Sequence, residues 1–483
     1  MRFTRTYVAP LAALLVALPA AAQQQVADAT APPDTTARPA PAPTGRAPND
    51  SAAKADAAAK TLLVPAIQIQ RLRPNDQRGI NVFEPPKRDT VPFTGFRLNF
   101  GAAFTQQFQG LGHENAAAPR PATTAAGAQY DANRLIEVGH GFNNAVANGY
   151  VNAQLARGIR VAMTAYLSSR HHNEVWVKDG YLLIDDSPID VAPLNALMQY
   201  VTVKAGHFEI NYGDAHFRRT DNGNAMYNPL VGNYVMDAFT TQVGGELYLR
   251  GRGAADGLFA MGGVTNGEVR GMTLNPQRRS PAFLAKLGGD RQLTPDLRVR
   301  LTGSLFSQAR SANQTLYSGD RAGSRYYNVL ENSVATEAAQ AWSGAIQTGL
   351  SSEMRAVVVN PFIKYRGAEL FGNFERARGR SLAELTAAAD QRTWTQNAVE
   401  GTYRFLGDRL YASARYNTAE GRLAGFTGDA RVTRTQFGGG WFITPIVLMK
   451  GEWVNQRYDD FPTADIRHGG RFDGFVVEGV VAF

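Results

Sequence analysis

The chain has 483 residues, a formal net charge of +8 and no cysteine, which excludes disulfide frameworks and thiolate metal centres. Hydrophobic residues make up 44% of it, yet no window holds the roughly 18 consecutive apolar residues that a spanning helix needs. The basic excess is mild and carries no dense Lys/Arg runs, so no nucleic-acid partner is expected.

Residues 1–22 read as a secretory signal peptide. Arg2 and Arg5 form the positive region, Val8 to Leu18 the short apolar core, and Ala20 and Ala22 the small-residue cleavage pattern before Gln23. Residues 23–60 are rich in Ala, Pro, Thr and Asp and have almost no large apolar side chain to bury. Such a segment behaves as a tether, with a short helix conceivable only over Ala52–Lys60. Residues 61–92 hold isolated apolar positions (Leu62, Leu63, Val64, Ile67, Ile69) between prolines and read as a lead-in touching the barrel floor. The expected domains are therefore 1–22 signal peptide, 23–92 flexible periplasmic leader and 93–483 barrel.

From Phe93 onward, segments of about ten residues alternate between apolar and polar or small side chains, which puts one set on each face of a strand. Phe96, Leu98, Phe100, Ala102 and Phe104 share a face; so do Leu297, Val299, Leu301 and Leu305, against Arg298, Arg300, Thr302 and Ser304. One face is fully ionic on many strands while the other is purely apolar. A closed transmembrane antiparallel β-barrel, with lipid outside and water inside, requires that division.

Strands are expected at 93–109, 145–156, 158–169, 175–185, 200–210, 238–250, 257–264, 282–288, 297–308, 341–350, 358–376, 393–405, 409–417, 432–443, 446–457 and 472–483. That is an even number, about 16, as single-chain bacterial barrels have. Long connections alternate with short ones, which puts both chain ends on the short-turn, periplasmic side. The exception is 186–199, which either hides a short helix or signals a count wrong by one hairpin. The last strand ends with Phe475, Val477, Gly479, Val481 and Phe483 on its lipid face. This resembles the assembly signal of outer-membrane barrels, so Phe483 is the expected handle for the barrel assembly machinery.

The inward faces read as basic. Arg97, Arg160, Lys204, Arg250, Lys286, Arg298, Arg300, Lys364, Arg404, Arg415, Arg434 and Lys450 stand against Glu246, Glu400, Glu452 and Glu478. A cationic wall concentrates anions; the alternative is a wall-bracing ion-pair network without regard to cargo. The long polar loop 210–237 carries His216, Arg218 and Arg219. These could meet a passing anion or form salt bridges to Asp214 or Asp221.

Val203-Lys204-Ala205-Gly206-His207-Phe208 with Tyr212-Gly213, preceded by Val177-Lys178-Asp179-Gly180-Tyr181, resembles a passage of the phosphate-selective porin O and P family. The motif-level similarity covers about 175–215. The resemblance implies a trimer, passive diffusion, anion preference and a loop after the fifth strand that folds into the pore. The chain departs from the family in its Pro/Ala-rich leader and in lacking a dense lysine cluster in that loop.

Enzymatic features are weak. His171 and His172 stand near Glu174, but adjacent strand residues point to opposite faces and ligate poorly; no metal or cofactor is expected. Trp176, Trp342, Trp394, Trp441, Phe442, Trp453 and Tyr458 fit interfacial girdles. The sequence thus predicts an outer-membrane diffusion channel for small anionic solutes, surrounded by membrane lipid and lipopolysaccharide. The alternative is a structural or adhesive barrel with a plugged lumen and ligand-binding outer loops.

Overall fold

The computed structural model describes residues 64–84, 87, 91–170, 174–268, 279–319, 325–338 and 344–483. The signal-peptide segment, the leader up to residue 63, His171, His172 and Trp342 lie outside the described residues.

Alternation of side chains builds sixteen antiparallel strands. They are β1 Arg97–Glu114, β2 Val146–Ala156, β3 Ile159–Leu167, β4 Trp176–Ile184, β5 Val201–Glu209, β6 Thr241–Arg250, β7 Leu258–Thr265 and β8 Ala282–Gln292. Then follow β9 Leu297–Gln308, β10 Glu353–Tyr365, β11 Ala368–Arg380, β12 Arg392–Phe405, β13 Leu410–Arg422, β14 Asp429–Thr444, β15 Val447–Asp459 and β16 Arg471–Ala482. Each strand pairs with its sequence neighbours, and β1 pairs with both β2 and β16, with Thr105 opposite Val146 on one side and Val480 on the other. The sheet therefore closes and leaves no free edge, the condition for placing strands in lipid.

Short turns lie at one rim and long loops at the other. Arg157-Gly158 joins β2 to β3, Gly158 having φ +67° and a Cβ position only 2.4 Å from Asp186 Cβ, so that only glycine fits. Arg366-Gly367 joins β10 to β11, with Arg366 itself at φ +51°. The connection between β4 and β5 contains helix α1, Ala192–Met198, with proline in its first turn. The long connection at 186–199 is thus a helix-bearing turn rather than a missing hairpin.

Two segments differ from the sequence expectation. Gly344–Leu350, within the expected strand 341–350, is not a strand. Its Ile346 and Leu350 are buried among inward-facing side chains, and the Ile346 amide donates to the Val235 carbonyl at 2.8 Å. Conversely, 358–376 is not one strand but parts of two, β10 and β11, which turn at Arg366-Gly367. The two differences offset each other, and the total remains sixteen.

The outer face is apolar. Phe96, Phe100, Leu301 and Leu305 are exposed, as are Phe475, Val477 and Phe483 on the closing strand. On β9 the apolar outward positions run from Leu297 to Leu305, about 26 Å along the strand at roughly 3.3 Å per residue and about 20 Å of height at a tilt of about 40°. Trp441 and Trp453 stand on this outer face, whereas Trp394, Phe442 and Tyr458 are buried on the inner one and belong to no girdle.

Candidate functional site

The lumen is the concave space available, and three chain segments enter it. Loop 210–240 follows β5 and folds inward. Its Asp214 amide donates to Asn360 on β10, its Val235 amide to Asn417 on β13, and its Val231 amide to Glu452 on β15, at 2.7–2.8 Å. It therefore spans the bore and donates hydrogen bonds to well-separated parts of the wall. The loop between β9 and β10 descends from the same rim; Tyr317 donates to Glu375 at 2.5 Å, and the carbonyls of Arg325 and Tyr327 accept from Gln107 and Gln109 at 2.9 Å.

The third segment, 64–84, crosses the short-turn end. Gln70 exchanges hydrogen bonds with Gln154 on β2, and the Gln77 amide donates to Pro445 in the β14–β15 turn at 3.0 Å. Asn81 donates to Glu369 on β11 at 2.7 Å. Arg71 forms an ion pair with Asp185. This lead-in does more than touch the floor: it forms a large part of it.

These segments meet the basic wall with carboxylates. Asp214 and Glu84 sit between Lys286 on β8 and Arg300 on β9, with all four ion-pair distances between 2.7 and 2.9 Å. Burial pushes the Glu84 carboxyl up, but Lys286 and Arg300 outweigh it and hold it well below the usual carboxylate range. Arg298 pairs with Asp290 at 2.7 Å. A second network joins Arg218 to Glu400 at 2.7 Å, Arg415 to the same carboxylate, and Arg404 to Glu369 at 2.8 Å. Arg219 binds Asp237 at 2.5 Å and lies 3.9 Å from Asp221. His216 sits 3.1 Å from Glu209; burial keeps its pKa below the ordinary value although that carboxylate pulls it up. Lys204 donates to the Glu209 carbonyl at 2.9 Å.

The structure thus brings Lys286 and Arg300 into one cluster, and Arg218, Arg404 and Arg415 into another. Arg250, at the short-turn end of β6, stands apart: among the described residues no carboxylate lies within ion-pair distance, and its Nε–H has no acceptor. Sequence reasoning missed Arg73. It donates to the Gly79 and Phe217 carbonyls and stacks on Tyr227 at 3.9 Å, again with no carboxylate partner among the described residues. Both arginines border a cavity of about 280 Å³ between segment 71–84, the inward loop and the wall β2–β6, with Tyr150, Tyr181 and Tyr248 as further walls. Of the acids that neutralise the other cations, Glu400 was legible from its strand face and Asp214 only as a partner for Arg218 or Arg219, whereas Asp237, Glu369 and Glu84 were missed. Asp214 and Asp237 lie on a loop and Glu84 on the leader, where no strand alternation assigns a face.

No protein-family model and no curated protein sequence matches the chain. Solved structures that are similar include an anion-selective porin from Comamonas acidovorans, at 10% identity, 80% coverage of this chain, 100% of that chain and a TM-score of 0.48. The outer-membrane channel DcaP of Acinetobacter baumannii has 10% identity, coverage of 81% and 99%, and a TM-score of 0.46. A loop-deletion form of OmpT, an outer-membrane protein of Vibrio cholerae, has 10% identity, coverage of 80% and 100%, and a TM-score of 0.44. The barrel assignment rests on this chain's own closed sheet.

Proposed function

We propose that this protein is an outer-membrane, porin-type channel for small hydrophilic solutes, with anions favoured over cations. The observation that carries the reading is a closed sixteen-strand barrel, apolar outside and arginine-rich inside. A cavity in its lumen is bordered by Arg73 and Arg250, two cations that no described carboxylate pairs, against one carboxylate without an ion pair to a described residue, Asp179. An excess of unmatched cations beside such a cavity lowers the entry barrier for anions. Phosphate as the preferred anion rests on the motif resemblance over 175–215 alone. In this reading the short turns and the leader 23–92 are periplasmic, Phe483 serves barrel assembly, and the chain forms a homotrimer.

A specific observation favours a second reading, a plugged barrel. Arg218, Arg219, Lys286, Arg300, Arg404 and Arg415 are engaged by carboxylates, three of which sit on the intruding segments. Planar-bilayer recording of the full chain separates the two. A steady conductance with a reversal potential displaced toward anions supports the channel. Absence of conductance from both the full chain and a chain lacking 64–84 supports the plug, and cation preference overturns the anion channel.

A further inference from the structure

We infer that the outer wall of β10–β13 carries a docking site for the phosphorylated sugar head group of an anionic glycolipid in the outer leaflet. This rests on the membrane reading above and adds a partner and a place to it.

The outward positions of β11, counted from its short-turn end, are apolar through Phe374 and then become Arg376, Arg378 and Arg380. On β10 the outward Val359 and Val357 give way to Arg355 and Glu353. The change comes eight to ten residues above the short turn, where the apolar band ends and the outer-leaflet head groups begin. Register puts Arg355 directly opposite Arg378, and Arg376 opposite Val357. Like charges facing each other across a strand pair repel and destabilise a sheet.

Several charges elsewhere on this rim are matched, Arg380 with Glu353 at 2.8 Å, Arg431 with Glu420 at 2.8 Å and Arg471 with Glu114 at 2.9 Å, while one exposed arginine, Arg457 opposite Arg471, is without an ion pair to a described residue on the far side of the barrel. Arg355, Arg376 and Arg378 are exposed, and no ion pair or side-chain hydrogen bond to a described residue engages them. Three unpaired guanidinium groups above an apolar wall call for an anion that arrives from the lipid. Guanidinium forks bind phosphate through two parallel hydrogen bonds, and long side chains at this level reach the head-group layer.

A second feature adjoins the arginines. Arg376 faces Thr395 and Arg378 faces Thr393 across the β11–β12 pair. Both threonines line an outward trough of about 330 Å³ with Gln391, Asn397 and Thr418, closed at its far side by Glu420 and Asp429, whose carboxylates are taken up by Arg431 and Arg422. Hydroxyl and amide groups suit sugar hydroxyls, and exposed Leu370, Phe374, Val399 and Tyr403 below them suit acyl chains. Phosphate, sugar and acyl chain would thus meet matching chemistry in order along one wall. A bare phospholipid would satisfy only the first and last.

The test titrates the refolded full chain in detergent with lipid A bearing both phosphates, and with the same lipid after phosphate removal, following thermal unfolding and native mass spectra. The wild type should bind the phosphorylated form, and Arg355→Gln/Arg376→Gln/Arg378→Gln should bind it at least about tenfold more weakly (roughly 1.4 kcal/mol). Glu114→Gln/Arg471→Gln, a matched pair on β1 and β16 of the same rim and away from the trough, should bind like wild type. Equal binding of the dephosphorylated lipid, or undiminished binding by the triple variant, overturns the proposal. So does loss of an oligomer in the triple variant without lipid, which would make the patch a contact between copies. A folded wild-type barrel that inserts into bilayers but ignores lipid A defeats the docking site alone; a chain that never inserts defeats the membrane reading.

Discussion

Arginines stand on both walls of the barrel but in opposite circumstances. Inside, Arg300 and Arg415 are buried and held by carboxylates, and those of Arg300, Asp214 and Glu84, lie 86 and 216 residues away in the chain. Outside, Arg355 faces Arg378 across a strand pair, Arg376 stands beside them on the same face, and no acid among the described residues is paired with any of the three. A buried charge without a partner costs several kcal/mol, so the lumen supplies partners from its own chain. An exposed charge at a membrane interface can take its counter-ion from its surroundings. The pairing of an arginine therefore indicates what faces it, and the unpaired ones indicate where an outside anion is expected.

The sharpest way to break this contrast is at the inner network. Glu400→Ala removes the carboxylate shared by Arg218 and Arg415 and should destabilise the barrel by about 3–5 kcal/mol, read as a lowered urea midpoint; an unchanged midpoint would mean that the network does not support the wall. Glu84→Gln keeps Asp214 between Lys286 and Arg300 and removes only the leader's anchor. It should weaken docking of 64–84 by about 1–3 kcal/mol, seen as faster proteolysis near that segment with an unchanged barrel midpoint. Arg250→Glu introduces an acid where no carboxylate partner exists, and should move the reversal potential toward cations while changing stability by less than about 1 kcal/mol.

The smallest expected effect is a pH dependence. Burial, reinforced by Arg71 and opposed by Asp185, lowers Lys87 to about 8. A lysine whose pKa falls on docking gives up its proton more readily in the docked form. Docking should strengthen as pH rises from about 8 toward the free-lysine value of 10.5, as protection of 64–84 from protease. Protection that falls over this window would contradict the placement of Lys87. As the outer-wall counterpart, Arg376→Gln should leave stability within about 0.5 kcal/mol of wild type and conductance unchanged, because no described residue pairs with it.

The strand architecture was legible because alternation is local. Leu297 to Leu305 declares its outer face in nine residues, and the final strand does the same through Phe483. The misread strand failed for a physical reason: Ile346 and Leu350 are apolar because they pack inside the lumen, not because a strand face repeats. The Arg366-Gly367 turn escaped notice because it needs only two residues and lacks a proline or Asn-Gly mark. At the lumen, the cations could be read from strand faces, including Arg250. Their neutralisation could not, because Glu84, Asp214 and Asp237 reach them through long-range packing that periodicity does not encode. Arg73 lay in a proline-broken segment with no period at all.

The proposed channel is narrowed at its short-turn end by segment 64–84, which hydrogen-bonds to the wall there. Its most direct test is planar-bilayer conductance of the full chain beside a chain lacking 64–84, in a salt gradient. Removal of the segment should raise the conductance severalfold, with the reversal potential on the anion side in both chains. No conductance from either chain, or a cation-side reversal potential, would contradict the anion channel.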